Sequence, residues 1–99
     1  MLRVKLMCEY TVCYPLWWET GGQISQGELP LSSNLNRRIR AWAENFNSRF
    51  DHEFGWPTEA EMKLHRTTGE RLSKVIDLEL PDEYSCYFKM WEQAFRTTG

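Results

Sequence analysis

The stretch "TEAEMKLHRTTGERLSKVIDLEL", residues 58–80, decides the fold, because its last six residues fit two structures. Its start is clear. Thr58 to Glu61 match a capping box, in which the Thr58 hydroxyl accepts from the Glu61 N–H and the Glu61 side chain reaches back. Ala60, Leu64, Thr68, Leu72, Val75 and Ile76 then form one apolar stripe, with Leu80 at its edge. Gly69 lies inside and costs about 1 kcal/mol relative to alanine. "VIDLEL" also alternates as a strand would, since Ile76, Leu78 and Leu80 share one parity. The 64–72–76 spacing continues the stripe, so it predicts one helix running through Gly69 to about residue 78.

Upstream stands another helix. Leu35, Ile39, Trp42, Phe46, Phe50 and Phe54 recur at steps of three and four, with Ala43 beside them. Ser32 or Ser33 caps its start. Gly55 occupies the place of a left-handed residue after the helix, Trp56 follows and can pack back on Phe50, and Pro57 prevents continuation. Downstream, "PDE" is a turn and "YSCYFKMW", residues 84–91, is rich in strand formers. Tyr84, Cys86, Phe88 and Met90 share one face; Ser85, Tyr87, Lys89 and Trp91 share the other. A helix over the same residues is the second reading. Residues 92–99 read as a frayed tail.

At the N-terminal end, residues 2–12 alternate. Leu2, Val4, Leu6, Cys8 and Tyr10 make an apolar face opposite Arg3, Lys5, Glu9 and Thr11, with Met7 as the exception. Residues 19–31 are a long loop by composition. The order is therefore strand, loop, helix, helix, strand. This predicts a small single-domain α+β sandwich with two amphipathic helices on one face of a small sheet, and the two-helix crossover permits a parallel strand pair.

Ninety-nine residues make one domain that folds with little margin. Twelve basic against fourteen acidic residues lack the basic excess of a nucleic-acid binder or an electrostatic membrane anchor. No run is long and apolar enough to span a membrane, and Arg3, Lys5 and Glu9 interrupt any signal-peptide core. Three cysteines without paired spacing suit reduced thiols, so the expected compartment is the cytoplasm.

Chemical motifs are weak throughout. Asp51, His52 and Glu53 are adjacent on a helix and diverge by about 100° per residue, so they cannot converge on a metal. Cys8, Cys13, Cys86, His52 and His65 show no short metal-binding step. Neither a metal nor another cofactor is expected, and a nucleophile paired from Cys86 and a histidine has no better support. Arg37, Arg38 and Arg40 flank the first helix's stripe. They read as a solvated face with Arg40 paired to Glu44, or as an anchor for an acidic partner.

The five tryptophans remain to be placed. In "YPLWWETGG", residues 14–22, an extended backbone points Trp17 and Trp18 to opposite sides, so at most one joins the core. The last strand raises the same problem, because Met7, Tyr87 and Trp91 would share the face away from the helices. Apolar patches and open sheet edges are where partners bind or dimers form. Trp17, Trp18, Glu19, Tyr87 and Trp91, with Arg37, Arg38 and Arg40 as a charged rim, are therefore the candidate partner-binding residues.

A strand ending near "YPLWW", a loop closing with "LPLS" and a helix carrying "RIRAWAENF" resemble a group of small bacterial proteins without an assigned function. So do "TGERLSK" and "ELPDEYSCYF" further on. The resemblance implies a strand–helix–helix–strand order with the second helix reaching near Leu80, and carries no active site. In its size, acidity and aromatic content the chain is also similar to immunity proteins of bacterial toxin systems. That likeness implies a non-enzymatic module that binds and neutralises another protein. The alternatives are an accessory homodimer or, less well supported, a small hydrolase-like enzyme or ligand binder using Asp51, His52 or Cys86.

Overall fold

The computed structural model describes residues 2–95. Five elements follow in order: β1 (Leu2–Leu6), β2 (Leu16–Trp18), α1 (Ser33–Arg49), α2 (Glu59–Glu79) and β3 (Tyr84–Phe88). The strands form a sheet in the order β2–β1–β3. β2 runs antiparallel to β1, with Lys5 opposite Trp17, and β3 runs parallel to β1, with Lys5 opposite Tyr87. The predicted strand–helix–helix–strand order and α+β class hold. The parallel β1–β3 pair is the one that the two-helix crossover permits. The addition is β2, which turns a marginal pair into a three-stranded sheet.

β1 stops at Leu6, well short of the predicted residue 12. The chain must reverse there to bring Leu16–Trp18 back alongside. Thr11 takes a left-handed φ of 66°, uncommon for a β-branched residue. Asn47 of α1 clamps this turn: its Oδ1 accepts from Thr11 N at 2.9 Å and its Nδ2 donates to Val12 O at 3.0 Å. The alternation survives as burial, however, with Val4, Leu6 and Cys8 all inside.

Ser32 caps α1 by accepting from Leu35 N. The helix ends at Arg49 and does not carry Phe54 in its stripe. Asp51 is the reason: its Oδ1 accepts from Glu53 N and Phe54 N, giving the backbone a turn instead of a helix. Asp51 and Gly55 then exchange backbone hydrogen bonds across a tight hairpin, with Gly55 at a φ of 80°. Trp56 is fully buried and does pack edge-on against Phe50, ring centres 5.6 Å apart.

α2 is capped by Thr58 and runs unbroken through Gly69 to Glu79. Its buried face is rotated from the predicted stripe. Met62, His65, Gly69, Leu72, Ser73 and Ile76 are inside, whereas Leu64 is 65% exposed. Gly69 explains the rotation. A Cβ there would meet Phe88 at 2.7 Å and Trp42 at 2.8 Å, so the missing side chain lets those rings sit on the helix backbone. Both helices pack their buried faces with the inner sheet residues Val4, Leu6, Leu16, Trp18 and Phe88.

After β3 the chain does not fray through residues 92–95. Glu92 is fully buried and Phe95 forms a parallel bridge with Trp56, whose N–H donates to Ala94 O at 2.9 Å. The remainder of the predicted tail, 96–99, lies outside the described residues. Within 19–31, Ile24 and Leu29 are buried, and Ile24 N donates to Leu16 O at 2.8 Å.

Candidate functional site

Two places concentrate chemistry. The first is the sheet face turned away from the helices. Period two puts Arg3, Lys5, Trp17, Ser85 and Tyr87 there. The Arg3 guanidinium lies over the Tyr87 ring, 4.5 Å from its centre, and pairs with Glu19 at 2.8 Å. The Trp17 indole N–H donates to Met7 O at 2.8 Å, which holds the ring beside the strand it crosses. Burial, the nearby Glu19 and its hydrogen bond raise the Tyr87 hydroxyl above the ordinary tyrosine range, with Arg3 opposing.

The tryptophan pair splits as alternation requires. Trp18 faces inward opposite Val4, packs against the core and stacks on Tyr84 at 6.3 Å. Trp91 is placed differently from its prediction. β3 ends at Phe88, so the alternation does not reach residue 91. Trp91 instead meets Tyr10, Phe46 and Phe50 edge-on and does not join Tyr87 on the outer face. The arginines do not form one rim. Arg37 and Arg40 line a hollow of about 610 Å³ beside Thr11 and Cys13, whereas Arg38 lines another of about 380 Å³ between α1 and α2. Arg40 makes no ion pair with Glu44; Arg37 bonds Asn34 at 3.3 Å.

The second place is inside. Cys8, His65 and Glu92 come from the turn after β1, from α2 and from the segment after β3. Their ligating atoms all lie within 4.8 Å of one another. His65 Nε2 and Glu92 Oε2 share a hydrogen bond of 2.9 Å, and both side chains are completely buried. His65 Nδ1 and Glu92 Oε1 find no partner among the described residues. Burial, reinforced by the Glu92 carboxylate, pushes the Cys8 thiol far above its ordinary range.

Three of the five tryptophans serve this cluster. The Trp91 indole N–H donates to Cys8 O at 2.7 Å, Trp42 to His65 O at 3.1 Å, and Trp56 to Glu92 O at 3.0 Å. Each cluster residue thus has its backbone pinned by one indole. Trp42 also stacks flat on the His65 ring, 4.5 Å away and 5° from parallel, and Trp56 lies 4.7 Å from the same ring. By contrast, Asp51 serves the hairpin turn, His52 is exposed, and the Cys86 N–H donates to Asp77 Oδ1.

All five elements lie within residues 2–90, which match a family model described as Serratia CdiI immunity protein-like. The chain belongs to that family. No curated protein matches the sequence significantly. The family match agrees with the likeness to toxin-system immunity proteins and with a chain that binds a partner protein. It ends two residues before Glu92, so the buried cluster takes one of its three members from beyond the matched span.

Sequence reasoning missed this cluster for two reasons. Residue 92 stood in an expected tail, with no local signal of burial. His65 stood on the wrong side of the assumed stripe, although the spacing 62–65–69–72–76 is as regular as the one chosen.

Proposed function

We propose that the chain neutralises a toxin by binding it, without catalysis of its own, and that the outer face of the sheet makes the central contact. The observation carrying this reading is the ordered group of Trp17, Tyr87, Arg3 and Glu19 on the face that the helices leave uncovered. Tryptophan, tyrosine and arginine are the residue types on which binding energy concentrates. Rings held in advance by an indole hydrogen bond and a stacked guanidinium lose little freedom on docking. Arg37 and Arg40, in their own hollow, supply a cationic contact at a second place for an extended partner. A non-catalytic role is supported by the thiols of Cys8 and Cys86: both are raised by burial, which suppresses the reactive thiolate. Three free cysteines suit a reducing compartment, and the cytoplasm is the place proposed.

The test captures partners with a tagged copy from lysate of the producing cell, beside a Trp17→Ala/Tyr87→Ala variant whose folding is checked by circular dichroism. One stoichiometric partner held by the original and lost by the folded variant is expected. Equal retention by both overturns the assignment of the face, and no retained protein overturns the binding reading.

A further inference from the structure

We infer that Cys8, His65 and Glu92 form a binding site for one zinc ion, which fastens the segment after β3 to α2 and to the turn after β1. This goes beyond the partner-binding reading and does not depend on it.

The donor set suits that ion. Thiolate, imidazole and carboxylate together favour zinc over hard cations such as magnesium or calcium. The donors are gathered already, from three separated parts of the chain, all within 4.8 Å. In a zinc site with metal–ligand distances of about 2.0–2.3 Å, tetrahedral donors stand roughly 3.3–3.6 Å apart. The 2.9 Å contact between His65 Nε2 and Glu92 Oε2 would widen only slightly. Glu92 Oε1 is buried without a geometrically good hydrogen-bond partner among the described residues, with the Cys8 thiol as the neighbour of this carboxylate, and it is the atom that a chelating carboxylate would bring as fourth donor. A fully buried carboxylate met only by an imidazole and a thiol is costly to maintain, and a cation is the strongest available compensation.

The surroundings are also those of a held site. The three indole N–H groups fix the backbone of each donor residue, and Trp42 fixes the plane of the His65 ring. His65 Nδ1 has no partner among the described residues, so the ring is oriented by stacking and not by the second-nitrogen hydrogen bond usual for a ligating histidine. Binding would release the Cys8 proton to solvent as the thiolate takes the ion, so uptake would strengthen as pH rises. Because all three side chains are buried, the ion would enter during folding or when the segment 89–95 opens.

The experiment refolds the full chain, with Cys13→Ser removing the exposed thiol, under reducing conditions with zinc chloride or with a chelator. Zinc retained after gel filtration is measured by mass spectrometry, and a cobalt-loaded sample is read for the thiolate-to-metal absorption band. One ion per chain, the cobalt–thiolate band and a higher melting temperature with zinc are expected. Cys86→Ser should keep the band. Glu92→Gln, nearly the same in shape, should lose tight retention, and Cys8→Ala should lose the band. No retained zinc in the Cys13→Ser chain overturns the site. So does retention without a cobalt–thiolate band, loss of the band in Cys86→Ser, or unchanged retention in a folded Glu92→Gln chain. Should Glu92→Gln and Cys8→Ala both fail to fold, the Cys13→Ser and Cys86→Ser results decide.

Discussion

His65 and Glu92 are 27 residues apart in the chain and meet at 2.9 Å with neither side chain exposed to solvent. The pair joins the middle of α2 to the segment after β3. It lies under Trp42 and Trp56, so its polar atoms have almost no alternative partners. That is the setting in which removing one member costs far more than the pair itself contributes.

Glu92→Ala, measured in the presence of chelator, should therefore lower stability by about 3–5 kcal/mol, because His65 would stay buried without its partner. Glu92→Gln should cost less, since its amide can still meet Nε2. Urea unfolding curves for the two variants check this. Equal midpoints for Glu92→Ala and the unaltered chain would show that the pair opens to water at no cost.

Gly69→Ala tests the rotated face of α2. Helix propensity alone would gain about 1 kcal/mol. The added methyl, however, would meet the Phe88 and Trp42 rings at 2.7 and 2.8 Å, and overpacking typically costs about 1–3 kcal/mol. Net destabilisation is expected, seen as a lower melting temperature with unchanged helix content. A rise would place Gly69 on an exposed face.

The three thiols should differ in kind. Cys13 is exposed and should be alkylated first, ahead of the buried Cys8 and half-buried Cys86. Cys86 also has a pH consequence. Burial, then the charge of Asp77, raises its thiol from 9.0 to about 12 in the folded chain. Folding therefore favours the neutral thiol. Its contribution to stability is complete below pH 9.0 and is lost as pH rises through about 12. Cys86→Ala should flatten the alkaline limb of stability against pH in that window, compared with the unaltered chain. An identical slope would show that Cys86 does not titrate with folding.

How much of this was legible in the sequence depended on the range of the interaction. Caps and periodicity act within a few residues, so a start at Ser32 or Ser33, the Thr58 cap, the passage through Gly69 and the strand–helix–helix–strand order could be read directly, whereas β2 could not. The rotation of α2 could not, because it depends on which rings from α1 and β3 rest on Gly69. The end of β1 was hidden for the same reason: Asn47, 36 residues away from Thr11, supports the turn. Glu92 gave no local sign, since its burial is decided by partners on α2 and by Trp56. For the outer face, the alternation that separates Trp17 from Trp18 was readable. Trp91 was misplaced because β3 stops before reaching it.

Trp17 and Trp18 give the sharpest separation of stability from binding. Trp18→Ala removes a ring that packs on the core and on Tyr84, so about 1–3 kcal/mol of stability should go. Trp17→Ala loses the indole bond to Met7 O, worth about 0.5–1.5 kcal/mol, and little core packing. On partner affinity the order should reverse. If Trp17 is a central contact, its loss costs at least about 2 kcal/mol, or roughly thirtyfold in Kd. Trp18→Ala should leave the affinity of the folded fraction close to that of the unaltered chain. Unfolding curves and calorimetric titration on the same two variants read both quantities. A Trp17→Ala chain that binds as tightly as the original would move the contact off this face and toward the hollow of Arg37 and Arg40.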